Sequence, residues 1–109
     1  MKTLKITLKE RIIFLQSLPT QGSIAQIEVF EKFGALLDFS EEEKTLFELR
    51  IEGEGNRQMI FWNKEKESDT EFVLDKKEET VFKNLANAFD QNGAVTIENK
   101  SLILKLLNL

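Results

Sequence analysis

Four segments of this chain open with the same local device. Thr7 stands three residues ahead of Glu10, Ser23 ahead of Gln26, Ser40 ahead of Glu43 and Asp75 ahead of Glu78. In such a capping box the first side chain accepts from the backbone N–H three residues on, and the acid or amide reaches back to the first residue's N–H. Each pair therefore marks a helix start, whatever the tertiary fold turns out to be. After Thr7, the apolar residues Leu8, Ile12, Leu15 and Leu18 recur at helical spacing, widened by Ile13 and Phe14, until Pro19 stops the run. After Ser23, Ile27, Phe30, Phe33 or Gly34, and Leu37 share a second face. Only Thr20 to Gly22 separates these runs, which predicts a helical hairpin. Glu41, Glu42 and Glu43 follow Ser40 where the helix dipole favours acids, and about one turn of helix is expected there.

The period then changes from 3.6 to 2. Phe47, Leu49 and Ile51 alternate with Glu48, Arg50 and Glu52, which reads as a half-buried strand. Gly53 to Asn56 is a turn, and Arg57 to Trp62 is a second strand, completing a β-hairpin. A charged loop, Asn63 to Asp69, leads to a third strand over Thr70 to Leu74. The box at Asp75 opens a helix carrying Val81, Phe82, Leu85, Ala86 and Phe89, closed by Asn92-Gly93. Residues 94–109 fit either a strand at Ala94 to Ile97 or a closing helix capped near Thr96, with Leu102, Ile103, Leu106 and Leu107 on one side; the helix is the favoured reading. The expected fold is a single α+β domain over residues 1–109: a helical hairpin, a three-stranded antiparallel meander and two C-terminal helices, in the order α-α-β-β-β-α-α.

The residue inventory narrows the chemistry. With no Cys, no His and no Tyr, the chain has no thiol nucleophile, disulfide, imidazole base or phenol. Gly53-Glu54-Gly55 lacks the third glycine of a dinucleotide-binding turn and joins two strands, and no P-loop occurs. Asp90-Gln91-Asn92-Gly93 has neither the glycine nor the glutamate positions of a calcium-binding EF-hand loop. Glu41 to Glu43 could supply oxygen ligands, but consecutive helical residues do not face one another, and the triplet reads better as dipole-matched acids. Asp69 with Glu71 reads as the charged dressing of an edge strand. The expectation is a non-enzymatic protein with no cofactor and no metal. No apolar run reaches membrane-spanning length and no export signal is evident at the start, so a cytoplasmic place in a bacterial host is expected.

Two segments carry more apolar surface than their places require. Met59-Ile60-Phe61-Trp62 must alternate, placing Met59 and Phe61 on one face of its strand and Ile60 and Trp62 on the other. The last segment, Leu102 to Leu109, is apolar except for Lys105 and Asn108, so it is either absorbed by the core or packs on another subunit. Met59, Phe61, Trp62, Leu106 and Leu109 are accordingly the candidate contacts with a protein partner or with a second copy in a homodimer, aromatic residues being enriched at interface hot spots.

Charge supplies the alternative. Residues 1–20 hold four basic side chains against one acid, whereas residues 21–56 hold nine acids against three bases, within a total of −4. Lys2, Lys5 and Lys9 could share a face, and with Arg11 and Arg57 they could contact nucleic acid in a winged-helix outline of two helices and a hairpin. The second helix and the hairpin tip are acidic where phosphate would approach, so the outline fits a winged helix and the electrostatics argue against nucleic acid.

Thr7-Leu8-Lys9-Glu10-Arg11, Leu18-Pro19-Thr20-Gln21-Gly22-Ser23, Phe39-Ser40-Glu41-Glu42-Glu43 and Phe61-Trp62-Asn63 together resemble small uncharacterised proteins encoded by bacteriophages and prophages. The likeness covers residues 1–63, consists mostly of caps and turns, and implies an origin; it transfers no activity and no site. The expected function is a phage-related protein-interaction or self-association module.

Overall fold

The computed structural model describes residues 2–54 and 59–109. In it all four capping boxes close. Thr7 and Glu10 exchange hydrogen bonds of 2.9 and 3.1 Å at the head of α1 (Leu8–Ser17). Ser23 and Gln26 do the same for α2 (Ile24–Leu37). Ser40 with Glu43 starts α3 (Glu41–Leu46), and Asp75 with Glu78 starts α4 (Lys76–Gln91). A fifth reciprocal pair leads into α5 (Lys100–Leu107): the Thr96 N–H donates to Asn99 Oδ1, and the Asn99 N–H donates to Thr96 Oγ1. The C-terminal segment is therefore helical over Lys100–Leu107 with Asn99 at the N-cap position, and the Thr96–Asn99 pair stands one turn ahead of it.

The α+β class and the succession of helices, strands and helices are those expected. The strand partners are not. β2 (Arg50–Glu52) and β3 (Met59–Phe61) form the expected hairpin, but β4 (Thr70–Leu74) does not extend it into a meander. β4 pairs instead, antiparallel, with β1 (Lys2–Ile6), which the charge-centred reading of the N-terminus passed over. Lys2-Thr3-Leu4-Lys5-Ile6 carries its own period-2 signal, and Leu4 and Ile6 are both buried. The chain falls into two compact units. The segments up to Leu37 and from Asp69 onward make one, and Asp38–Ser68 makes the other.

In the larger unit, the paired strands present Leu4, Ile6, Phe72 and Leu74 on one face, matching the register Leu4↔Phe72. That face joins three fully buried phenylalanines, one from each of α1, α2 and α4. The Phe82 ring meets Phe14 edge-on at 5.0 Å and Phe33 edge-on at 4.8 Å, an arrangement that pairs ring edges with ring faces. Leu102, Ile103 and Leu106 of α5 complete this core. Buried polar groups are individually satisfied. Arg11 Nε donates to the Leu37 carbonyl at 2.9 Å, Lys105 Nζ to Glu10 Oε1 at 2.6 Å, and Lys32 Nζ to Glu78 Oε2 at 2.7 Å. No buried side-chain nitrogen or oxygen among the described residues lacks a partner.

α4 ends in a Schellman turn: the Ala94 N–H donates to the Phe89 carbonyl and the Gly93 N–H to Asp90, with Gly93 at φ +64°. A Cβ there would meet nothing within 4 Å, so only the left-handed backbone opposes substitution. Gly93→Ala is expected to cost about 1 kcal/mol, read from the shift in a urea unfolding midpoint.

The smaller unit repeats that turn with a different residue. At the end of α3 the Leu49 N–H donates to Lys44 and the Glu48 N–H to Thr45, and Glu48 itself takes φ +54°. This turn occupies residues 47–49, so the strand expected from Phe47 begins only at Arg50. Phe47 points inward, its ring edge-on to Phe39 at 6.3 Å. After β3, Asn63 caps a short 3₁₀ turn, Lys64–Lys66.

Candidate functional site

Four of the five basic residues named for the nucleic-acid reading are described by the structure, and they do not form one free basic patch. Arg11 is buried and committed to the Leu37 carbonyl. Lys2 and Lys5 lie on a strand, where their odd separation places them on opposite faces, not on a shared helical one. Lys2 stands 4.0 Å from Glu79 and Lys5 3.8 Å from Asp69, while Lys9 pairs with Glu98 at 2.5 Å. That last contact holds the Glu98 carboxyl below its usual range through its hydrogen bond and charge interaction with Lys9. Arg57 lies outside the described residues. The basic N-terminus is thus neutralised locally by acids from distant parts of the chain.

Of the carboxylates weighed as metal ligands, Asp69 lies 3.8 Å from Lys5. Glu43 closes the α3 cap and Glu41 meets Lys44. Among the described residues no group of three or more Asp, Glu, His or Cys is arranged to hold a metal ion.

Of the five interface candidates, two belong to the larger unit. Leu106 is 1% exposed and sits in the core, which corrects its assignment to an interface: α5 turns it inward against α4 and α1. Leu109 is half-buried against the same core. The apolar excess of the C-terminus therefore serves the fold, with Leu104 alone in α5 left substantially exposed among its large apolar residues.

The other three candidates lie on or beside β3, Met59 and Phe61 on one face of the hairpin and Trp62 next to the other. β2 and β3 pair in the register Arg50↔Phe61, Ile51↔Ile60 and Glu52↔Met59. Directly opposed residues share a face, so Ile51 and Ile60 point one way, and Arg50, Phe61, Glu52 and Met59 the other. Met59 is 61% exposed, and Phe61 is half-buried with the Arg50 guanidinium 5.8 Å from its ring centre. Trp62 is half-buried as well, its indole Nε1 donating to Glu67 Oε1 at 2.8 Å. Trp62, Asn63, Arg50 and Glu48 line a recess of about 360 Å³. Glu48 is fixed there despite its left-handed backbone, because its carboxylate accepts from Asn63 Nδ2 and lies 3.9 Å from Lys66. A non-glycine residue in this region costs on the order of 1 kcal/mol, which the surrounding bonds must offset.

Sequence reasoning missed one member of this surface. Ile51 was read as the buried side of its strand, yet it is 65% exposed and no residue of β2 is buried. Alternation reports which residues share a face but not whether anything covers that face. Compared with protein-family models, with curated proteins and with solved structures, the chain matches none.

Proposed function

We propose that this protein is a non-enzymatic interaction module of phage-related origin, acting in the bacterial cytoplasm, whose contact surface is the β2–β3 hairpin. One observation carries the reading: a two-stranded sheet leaves Ile51 and Met59 each more than three-fifths exposed, with half-buried Ile60, Phe61 and Trp62 beside them. Two strands alone are marginally stable in water, and gain when a further strand or an apolar surface covers them. Large apolar residues gathered on one exposed element mark contact sites more often than singly scattered ones do. The side chains around them, Arg50, Glu52, Glu48 and Asn63, suit a polar rim better than a catalytic centre. No helix among the described residues is long and apolar enough to cross a membrane. The phage origin rests on the likeness of residues 1–63 and adds nothing to the choice of surface.

A photo-crosslinking amino acid placed at Met59 tests the surface. The expected result is a discrete protein adduct, to itself or to a host or phage protein, that is absent when the same group replaces Lys83 on α4. No adduct at Met59, or equal labelling from both positions, would overturn the reading.

A further inference from the structure

We propose that the occupant of the hairpin surface is a second copy of this chain, joined by antiparallel pairing of β2 with β2 about a two-fold axis through Ile51. The proposal rests on the hairpin being the contact surface and names its partner. β2 has β3 along one edge, and among the described residues no strand lies along the other. Its side chains stand in solvent: Ile51 is 65% exposed, and the Arg50 and Glu52 side chains are 68% and 57% exposed. An exposed strand edge is a template for another chain, and a closed dimer is one way to satisfy it.

The sequence of β2 is complementary to itself in one orientation only. In antiparallel pairing centred on Ile51, Ile51 faces Ile51 of the second copy, Arg50 faces Glu52 and Glu52 faces Arg50. Opposite charges directly across a strand pair attract, and like charges repel. An in-register parallel pairing would set Arg50 beside Arg50 and Glu52 beside Glu52. Within one chain Arg50 Nη1 and Glu52 Oε1 already approach to 3.5 Å, so both side chains lie on the same face and can exchange an internal partner for an external one. The register with β3 extends the pattern: Ile60 opposes Ile51, so the dimer's sheet, ordered β3-β2-β2-β3, would carry four isoleucines in a row across one face. On the other face Phe61 and Met59 flank the two charge pairs. Three residues a side bury less than a standard stable interface, so the association should be weak and concentration-dependent.

Sedimentation velocity over a concentration series extending to the millimolar range provides the test, with Trp62 fluorescence and far-UV circular dichroism confirming that each variant is folded. The native chain should dimerise. Arg50→Glu sets acid against acid at both crossings, and Glu52→Arg sets base against base; each should weaken dimerisation about tenfold. The double variant Arg50→Glu/Glu52→Arg should return to within about threefold of the native value, and an equimolar mixture of the two single variants should dimerise as strongly as it does. A native chain monomeric at every concentration, or dimerisation indifferent to these exchanges, would overturn the strand pairing. A Met59 adduct to a different protein from a monomeric chain would overturn it too while leaving the contact surface itself standing.

Discussion

Phe82→Ala is expected to reduce the free energy of unfolding by about 3–5 kcal/mol, the range for truncating a fully buried aromatic side chain. The ring is 0% exposed and meets Phe14, Phe33 and Phe30 at centroid distances of 5.0, 4.8 and 6.3 Å. It comes from α4 and touches rings of α1 and α2, so its loss opens a cavity where three helices meet. Whole-domain stabilities are about 5–15 kcal/mol, so the substitution removes a large share of what is available. Guanidinium unfolding followed by far-UV circular dichroism measures it. The thermal midpoint should fall by roughly 15–20 °C. Phe82→Leu, which keeps most of the volume, should cost about 1–1.5 kcal/mol. A loss below about 1 kcal/mol for the alanine variant would contradict the core as described.

Glu10→Ala is expected to cost about 2 kcal/mol at neutral pH. Glu10 does two jobs: it closes the α1 capping box, and it receives Lys105 Nζ, which also donates to the Lys5 carbonyl. Its side chain is 5% exposed, whereas that of Lys105 is 39% exposed, so the abandoned ammonium can recover some hydration and the cost stays below that of a fully buried pair. Burial alone would raise the Glu10 carboxyl, but the hydrogen bonds from Lys105, the Thr7 N–H and Ser101, with the Lys105 charge, outweigh it and hold the group below the ordinary value of 4.5. The folded state therefore releases this proton more readily than the unfolded chain does. Its contribution to stability is complete above the ordinary carboxylate range and is lost as pH falls through the lowered value. Unfolding free energies measured from neutral pH down through the acid range should show the native chain losing more than Glu10→Gln, with the two curves converging at the acid end. Parallel curves throughout would contradict the pairing.

How much was readable in advance differs sharply between helices and strands. Thr7, Ser23, Ser40 and Asp75 each announced a helix start that the structure contains, and Gly93 and Pro19 announced ends. Such signals act within four residues, so the sequence states them locally. Glu48 gave no sign, because a glutamate in a turn that favours glycine is held there by Asn63 and Lys66, which lie beyond the hairpin. Of the candidate surface, the apolar character of Met59, Phe61 and Trp62 was legible, while the exposure of Ile51 and the burial of Arg11 were not, and the pattern alone did not separate the core reading of Leu106 from the interface reading.

Helix positions, their caps and the alternating pattern of the strands follow from the order of residues alone, because each depends on neighbours a few positions away. The partner of β4, the solvent on β2 and the inward turn of α5 were decided only when the chain closed on itself. Period-2 patterning specifies a face without specifying what lies along the edge, and Lys2 meets Leu74 only when both ends of the larger unit come together. Basic residues follow the same rule: Lys2, Lys5 and Lys9 find Glu79, Asp69 and Glu98 beside them only because the fold brings those acids alongside.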